Sequence, residues 1–359
     1  SITDNDTSSA PANDNFANRM PVSGLGVAVP GYNTSANREL GEPIWSTSQA
    51  GRTVWFEWTA TATEEVVVSV KGLEDSGFYP EVGIFTGSTL ASLTQVINGW
   101  EQTFLNAQAG TTYFIAVDGY RYSDPTGGFK LVIGRRPTLR LDSPAQGAVF
   151  PAPGNVLISG SASLDGTVHI YGEGYAAELE LSLPGGNFSY SWTNLPPGRY
   201  WVDIVVIDQL GISAEDWTSF RVVPANDLFA NRTPLPAGLP QEVSGSTRGA
   251  SLEPGEPWHA EYVDSGGSVW WSWTAPASGN ITIECWGNQT NGGWNWPFST
   301  ALAVYTGTSL DDLEEVASRQ SDYWGGPSRV YFPVTAGTTY QIAVDGGYEG
   351  GNVRLLISP

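Results

Sequence analysis

Short runs of alternating apolar and polar residues, separated by turns rich in Gly, Pro, Asn and Asp, fill most of the sequence. In the run at residues 54–58, Val54, Phe56 and Trp58 share one face of an extended chain, and Trp55 lies on the other. Aromatic and β-branched residues in such runs are typical of strands. The pattern predicts an all-β protein in which the three residues of the first face enter a sandwich core.

The chain contains an internal duplication. The sequence Pro-Ala-Asn-Asp-x-Phe-Ala-Asn-Arg, here called the entrance motif, occurs at residues 11–19 and again at 224–232. Four further segments repeat in the same order: Gly-Glu-Pro (41–43 and 255–257), Val-Trp-x-x-Trp-Thr-Ala (54–60 and 269–275), Phe/Tyr-Thr-Gly (85–87 and 305–307) and Ala-Gly-Thr-Thr-Tyr (109–113 and 336–340). Matches along the whole length indicate a duplicated domain. Copy two has gained residues between 273 and 306 and between 307 and 336.

A different unit separates the copies. Arg-Arg-Pro at 135–137 ends copy one, and short strand-like runs with regular turn signals continue to residue 223. We predict three β-sandwich domains in a row: residues 1–134 (copy one), 135–223 (the middle segment) and 224–359 (copy two). Helical turns are expected only at residues 90–96 and 310–316.

Charge narrows the range of partners. The 359 residues include 37 acids and 16 bases, for a net charge of -21. This balance repels phosphate backbones and anionic bilayers, so we expect neither nucleic-acid binding nor membrane docking. No apolar run is long enough to span a membrane as a helix, so membrane insertion is not expected. The single cysteine, Cys285, lies in an alternating strand-like run, which predicts a packed thiol.

The repeated motifs resemble those of pre-peptidase C-terminal-type domains, which occur in secreted multidomain bacterial proteins. The resemblance rests on Asn-Asp-x-Phe-Ala, Gly-Glu-Pro, the tryptophan strand, Tyr-Thr-Gly and Ala-Gly-Thr-Thr-Tyr-x-Ile-Ala-Val-Asp-Gly. The middle segment is similar to bacterial immunoglobulin-like repeats through Ser-Pro-Ala-x-Gly-Ala-x-Phe, Asp-Gly-Thr-Val and Ser-Tyr-Ser-Trp-Thr-Asn. The first resemblance implies a non-catalytic β-sandwich that binds calcium in some members. The second implies a spacer or adhesive module.

Matched acidic sets predict calcium sites. They comprise Asn13, Asp14, Glu39 and Glu42 in copy one, and Asn226, Asp227, Glu253 and Glu256 in copy two. Calcium takes six to eight oxygen ligands from carboxylates, amides, backbone carbonyls and water. In the resembling family the Asn-Asp step is the part most associated with the metal. The alternative is an Asx-turn at the domain entrance with solvated glutamates. Asp118 and Asp345, in Val-Asp-Gly, are expected to form turns.

Aromatic residues in Gly-rich stretches predict a binding surface in copy two. They are Trp286, Trp294, Trp296, Tyr323 and Trp324, with Phe298 beside them. Flat rings with nearby amides suit stacking on the C–H faces of sugars. The alternatives are rings that pack over the sandwich, or an interface with a protein. In copy one the corresponding loops carry Phe78, Tyr79, Trp100, Tyr120 and Tyr122.

Catalytic motifs are not evident in the sequence. The two histidines, His169 and His259, have no Cys or His partner at zinc spacing, and no nucleophile elbow or phosphate loop occurs. We therefore predict a non-catalytic calcium-binding module, secreted or on the cell surface, for recognition or adhesion. Its partner would be extracellular polysaccharide or a cell-surface protein. The alternative is a self-associating structural subunit of an extracellular filament or surface layer.

Overall fold

The computed structural model of the protein describes residues 10–45, 51–73, 78–120, 126–172, 178–259, 266–291, 294–321, 326–347 and 350–359. The chain divides into two compact units. One comprises Ser1–Thr138 with Val206–Ala214, and the other comprises Leu139–Val205 with Glu215–Pro359. Strands supply nearly all of the regular structure, so the predicted all-β class is confirmed.

Copy one forms two sheets. Its strands are β1 (Met20–Val22), β2 (Val27–Tyr32), β3 (Val54–Thr59), β4 (Glu64–Gly72), β5 (Pro80–Thr86), β6 (Thr94–Trp100), β7 (Gln102–Ala107), β8 (Thr112–Gly119) and β9 (Gly128–Gly134). One sheet has the order β1-β3-β8-β5-β6, and the other has the order β2-β9-β4-β7. Strand β1 runs parallel to β3, whereas the other strand pairs among the described residues of copy one are antiparallel.

The core of copy one lies between these sheets. Phe56 and Trp58 of β3 pack there with Val68 of β4, Leu105 of β7 and Leu131 of β9. All five side chains are buried. The face predicted from alternation along β3 is therefore the core face, and burial of its large side chains stabilises the sandwich by about 1.5–3 kcal/mol each.

The other face of β3 is buried as well, which simple alternation does not predict. Trp55 is fully buried in a second apolar cluster, together with Phe16, Trp45, Phe85 and Phe114. Phe16 belongs to the entrance motif, and its ring meets that of Trp55 edge-on at 5.2 Å between centroids. The entrance motif and the segment around Trp45 therefore form an outer layer over the sheet.

Copy two repeats this plan. Its strands are β18 (Thr233–Leu235), β19 (Gln241–Ser246), β20 (Ser268–Thr274), β21 (Gly279–Asn291), β22 (Trp294–Phe298), β23 (Ala301–Thr306), β24 (Glu314–Gln320), β25 (Ser328–Val334), β26 (Thr339–Asp345) and β27 (Asn352–Ser358). One sheet has the order β18-β20-β26-β23-β24. In the other, β21 has β27 on one side, and β25 and β22 share its second side. The residues that copy two has gained between 273 and 306 therefore include one added hairpin, β21–β22.

The two apolar layers also recur in copy two. Trp271 and Trp273 enter the inter-sheet core, and Trp270 packs in the outer layer against Phe229. Cys285 is fully buried in the core, and burial raises the pKa of its thiol to about 12. The packed, unreactive thiol predicted from the sequence is confirmed.

The middle segment builds its own pair of sheets. Its strands are β10 (Leu139–Ser143), β11 (Ala148–Pro151), β12 (Gly154–Ala162), β13 (Gly166–Gly172), β14 (Glu178–Leu183), β15 (Gly186–Leu195), β16 (Gly198–Ile207) and β17 (Ser213–Val223). The sheet orders are β10-β12-β15 and β11-β17-β16-β13-β14.

Residues 206–214, which connect β16 and β17, pack on copy one. Ile212 is fully buried against Val67 of β4 and Val132 of β9, with Leu210 alongside. The Gln102 amide donates a 2.8 Å hydrogen bond to Ser213 Oγ and accepts one from the Ser213 N–H. This turn therefore covers apolar residues on the outer face of the second sheet of copy one.

The helical turns predicted at 90–96 and 310–316 are wrong in length. Leu90–Ser92 and Leu310–Asp312 are single 3₁₀ turns, closed by capping boxes that pair Thr89 with Ser92 and Ser309 with Asp312. The residues that follow join β6 and β24 instead. The remaining 3₁₀ turns of the described residues are Phe16–Asn18 and Phe229–Asn231. No helix among the described residues is long and apolar enough to cross a membrane.

The outer layer predicts a large effect of one ring in the entrance motif. Changing Phe229 to Ala removes a buried ring from its contact with Trp270, and it should lower the free energy of unfolding by about 3–5 kcal/mol. Chemical denaturation measures the loss. Leu228→Ala is the matched control, because its neighbouring side chain is exposed. Equal losses in the two variants would contradict the outer layer as described.

Candidate functional site

The asparagines of the predicted calcium sets form hydrogen bonds with the backbone of the tryptophan strands, β3 and β20. In copy one, Asn13 Nδ2 donates to the Trp55 carbonyl at 3.0 Å, and the Trp55 N–H donates to the Asn13 carbonyl at 2.9 Å. In copy two the same pair of bonds joins Asn226 and Trp270, each at 2.9 Å. Each asparagine therefore supplies the hydrogen bonds that a neighbouring strand would make.

The aspartates of the entrance motif accept hydrogen bonds from a later segment. The two oxygens of Asp14 accept from the backbone N–H and the side-chain amide of Asn37, at 2.8 and 2.9 Å. Those of Asp227 accept from the N–H and hydroxyl of Ser251, at 2.6 and 2.7 Å. Burial raises the pKa of Asp227, although both hydrogen bonds favour its charged form. Both aspartates are buried.

The glutamates complete a chain of carboxylate-to-backbone bonds. Glu39 accepts from the Phe16 N–H at 2.9 Å, and Glu42 accepts from the Glu39 N–H at 3.0 Å. Glu253 and Glu256 accept from Phe229 and from Glu253 in the same way, at 3.0 and 2.7 Å. The predicted sets are thus brought together in each copy, as networks that order the outer layer.

This arrangement does not match a calcium shell. Each of the three carboxylates in the set of either copy has an oxygen that accepts a hydrogen bond from a backbone N–H. Calcium requires six to eight oxygens directed at one point. In the described residues, no group of three or more His, Cys, Asp or Glu side chains stands in a metal-holding arrangement. Calcium binding by these eight residues stays a prediction that the hydrogen bonds do not support.

The aspartates of Val-Asp-Gly do more than form a local turn. Asp118 accepts from the N–H groups of Gly51 and Arg52, at 2.9 and 3.0 Å, as well as from Gly119. In copy two, Asp345 accepts from Gly347 at 2.8 Å and from the N–H of Gly266. Each carboxylate therefore fixes the start of the tryptophan strand. Burial raises the pKa of both Asp118 and Asp345.

The copies differ at one buried pair of the outer layer. Where copy one packs the Trp45 and Phe85 rings at 6.3 Å, copy two has His259 and Tyr305, joined by a 2.9 Å hydrogen bond between Nδ1 and the hydroxyl. His259 Nε2 lies 2.8 Å from Glu256 Oε1. The sequence signal for this pair is that His259 and Tyr305 stand at the positions that Trp45 and Phe85 occupy in copy one, so both positions differ together.

Glu256 also accepts a hydrogen bond from Ser268, so a serine, a glutamate and a histidine meet. Nucleophilic hydrolysis requires the histidine between the serine and the acid. Here the glutamate stands between the other two, and the His259 and Glu256 side chains are buried. The geometry is that of a buried polar network and not of a catalytic triad.

The predicted aromatic surface of copy two is only partly within the described side chains. Trp286, on β21, is half-buried, with the Arg354 guanidinium 4.3 Å from its ring centroid. Trp294 and Trp296 lie on β22, in backbone register with Asn291 and Gln289. Tyr323 and Trp324 lie outside the described residues. The structure thus brings Trp286, Trp294 and Trp296 onto one hairpin and the strand that it extends.

Copy one has an aromatic group that the predicted site did not include. Phe78 is buried in the core, whereas Tyr79 and Trp100 are exposed, and Tyr120 packs on Trp100. Tyr122 lies outside the described residues. The signal in the sequence was that these rings flank the ends of predicted strands.

No protein-family model matches the chain, and no curated protein matches it. Among solved structures, it is similar to the pre-peptidase C-terminal domain of collagenase from Bacillus anthracis, with 15% identity, a TM-score of 0.25, and coverage of 35% of this chain and 96% of that one. It is similar to fibronectin(III)-like modules of Clostridium thermocellum CbhA, with 14% identity, a TM-score of 0.21, and coverage of 46% and 88%.

A third similar structure is that of carbohydrate-binding modules from the β-sandwich superfamily. Its identity is 15%, its TM-score is 0.20, and the match covers 62% of this chain and 96% of that one. With TM-scores this low, none of the three likenesses carries an inference about what this chain does. The protein itself has a tandem β-sandwich architecture.

The carboxylate networks predict a stability loss that does not depend on metal. Changing Asp227 to Ala removes two hydrogen bonds to a charged acceptor and leaves the Ser251 N–H without its partner. The free energy of unfolding should fall by about 2–4 kcal/mol. Denaturation in EDTA measures it, and Asp14→Ala provides the matched change in copy one. An unchanged midpoint for Asp227→Ala would contradict the network.

Thermal unfolding of a further variant, Glu253→Ala, tests the calcium prediction. A rise in the melting temperature of the EDTA-stripped wild type on adding calcium, absent in Glu253→Ala, would support a site at these residues. No rise and no heat of binding in calorimetry would contradict it.

The raised carboxyl pKa values predict an unusual pH dependence. A group whose pKa is higher in the folded state stabilises the fold at low pH, and this contribution is lost as pH rises through the raised value. The contribution of these groups to melting temperature should therefore fall as pH rises from about 3.8, the ordinary aspartate pKa, and this pH difference should shrink in Asp118→Asn/Asp345→Asn. Asp312→Asn is the control, because the N–H groups of Ser309 and Thr308 hold the pKa of Asp312 low. An unaltered pH difference in the double variant would refute the assignment.

Proposed function

We propose that the chain is a non-catalytic recognition module that acts outside the cell, secreted or on the cell surface, by binding extracellular polysaccharide. In this proposal two pre-peptidase C-terminal-type β-sandwiches, residues 1–134 and 224–359, flank an immunoglobulin-like β-sandwich, residues 135–223. The repeated sandwiches supply a rigid framework, and binding residues stand at strand ends and on hairpins added to it.

The observation that carries the proposal is the place where the copies differ. Both copies build the same framework, yet within the described residues the β21–β22 hairpin occurs in copy two alone. It places two tryptophans, Trp294 and Trp296, on a strand that has no counterpart in the described residues of copy one. Binding residues are commonly found in such additions to a scaffold, because the additions vary without disturbing the fold.

The residue types of the hairpin suit neutral sugars. An indole offers a flat apolar face and one N–H donor, so it can stack on sugar C–H groups and bond a hydroxyl. Amide residues occupy register positions opposite both tryptophans, Asn291 and Gln289. The net charge of -21 disfavours a polyanionic glycan. A neutral polysaccharide is therefore the ligand class that these residues favour.

Retention on polysaccharide tests the proposal. The double variant Trp294→Ala/Trp296→Ala should lose at least about tenfold in affinity, because a tryptophan at the centre of an interface often contributes about 2 kcal/mol or more. Affinity electrophoresis in gels that contain xylan, hydroxyethyl cellulose or laminarin measures the loss. Trp217→Ala is the control, since this middle-segment tryptophan is 62% exposed and belongs to neither copy.

Wild-type protein that binds none of these glycans would overturn the proposal. Native mass spectrometry or electron microscopy of the same sample addresses the alternative from the sequence. Ordered polymers would favour a structural subunit of a filament or surface layer, whereas monomers that bind glycan favour recognition.

A further inference from the structure

Three aromatic residues of copy one meet at the ends of three adjacent strands. Tyr79 precedes β5, Trp100 ends β6 and Tyr120 follows β8, and these strands are neighbours in the order β8-β5-β6. Backbone register pairs Pro80 with Gly119, and the Tyr120 N–H donates to the Tyr79 carbonyl at 2.9 Å. The three residues, here called the aromatic platform, are therefore placed by the sheet itself.

The platform is preorganised and faces solvent. The Trp100 and Tyr120 rings pack edge to face, 5.0 Å apart at 70°, an arrangement worth about 0.5–1.5 kcal/mol. Nevertheless Trp100 is 47% exposed and Tyr79 is 61% exposed. Directly after Trp100, Glu101 takes a φ of 29°, and its carbonyl accepts from the Val70 N–H, so the chain crosses to the other sheet at once. That crossing fixes the position of Trp100.

The fold does not require these rings. Register places Glu81 opposite both Trp100 and Asp118, and Ala301 opposite both Gln320 and Asp345. The equivalent residues of copy two are therefore Ser299, Gln320 and Gly347. Copy two builds the same sheet order with a small or polar residue at each position. Copy two folds without aromatic residues at these positions, so the exposed aromatic residues of copy one are not needed for folding. Such residues indicate a binding surface.

The surroundings of the platform define the ligand chemistry. Asn98 lies two residues before Trp100 on the edge strand β6, so both share its exposed face. Its Oδ1 accepts from Gln95 Nε2 at 3.1 Å, which adds a second amide. Rings that stack on C–H groups, beside amides and phenol hydroxyls that bond hydroxyl groups, match a sugar.

We propose that the aromatic platform of copy one is a second glycan site, which binds a single neutral polysaccharide chain. This inference rests on the proposed function and adds a site in the other copy. The 70° angle between the rings forms a corner and not a plane. A corner holds one sugar ring between two surfaces, whereas the flat face of a crystalline polysaccharide requires coplanar rings. The platform therefore selects soluble chains.

Copy two supplies the matched test variant. Tyr79→Ser/Trp100→Gln/Tyr120→Gly gives copy one the residues with which copy two folds. Isothermal titration with xylohexaose, cellohexaose and laminarihexaose compares it with wild type and with Trp294→Ala/Trp296→Ala. We expect the triple variant to keep its circular dichroism spectrum and to lose one class of sites, by at least about tenfold in affinity. Wild type should bind the soluble chains more tightly than microcrystalline cellulose.

The outcomes separate the two proposals. Wild type that binds no glycan overturns both. In another outcome the triple variant binds glycan with wild-type affinity and stoichiometry while Trp294→Ala/Trp296→Ala loses affinity. That result overturns the platform site and leaves the proposed function standing. If the triple variant unfolds, Trp100→Gln alone, at one exposed position, replaces it under the same criteria.

Discussion

Carboxylate and amide oxygens that accept hydrogen bonds from backbone N–H groups hold the outer layer of each duplicated sandwich. The segments that cover Trp55 and Trp270 have few strand partners of their own, so their N–H groups require other acceptors. Asp14, Glu39 and Asp118 supply them in copy one, and their counterparts do so in copy two. A buried N–H without a partner costs about 1–3 kcal/mol. The apolar cover over the tryptophan strand is therefore stable only because acidic residues lie within it.

Duplication shows which features of this layer can change. The bonds that the entrance-motif aspartates and the two glutamates accept from backbone N–H groups recur in both copies, whereas the aromatic residues of the layer differ. Copy one has Trp45 and Phe85 where copy two has His259 and Tyr305, and the polar atoms of the second pair bond each other and Glu256. A single exchange would have left a buried polar group without a partner. The carboxylates of the outer layer thus bond backbone N–H groups, which every residue but proline supplies. These bonds can persist when neighbouring side chains change.

The sequence predicted the all-β class correctly, whereas the calcium assignment of the acidic sets stays a prediction. Alternation along residues 54–58 identified the core face, because burial on one side leaves a period of two. It did not reveal that Trp55 is buried too, since cover from the entrance motif depends on contacts distant in the chain. The acidic sets were correctly expected to come together. Whether oxygens face a cation or an N–H is decided by side-chain direction, which spacing does not encode. The sequence identified Tyr79, Trp100 and Tyr120 as aromatic residues of loops in copy one, but only strand register shows that they lie at one place.

The packing of residues 206–214 on copy one has a consequence for how the chain matures. Ile212 covers Val67 and Val132, and these three residues lie far apart in the sequence. A ribosome or export channel that delivers the chain from its N-terminus releases copy one long before residue 212. Until then an apolar face of the finished sheet stands open to other emerging chains. The first sandwich is thus completed by a segment made later, and a fragment cut at residue 134 would carry that open face permanently.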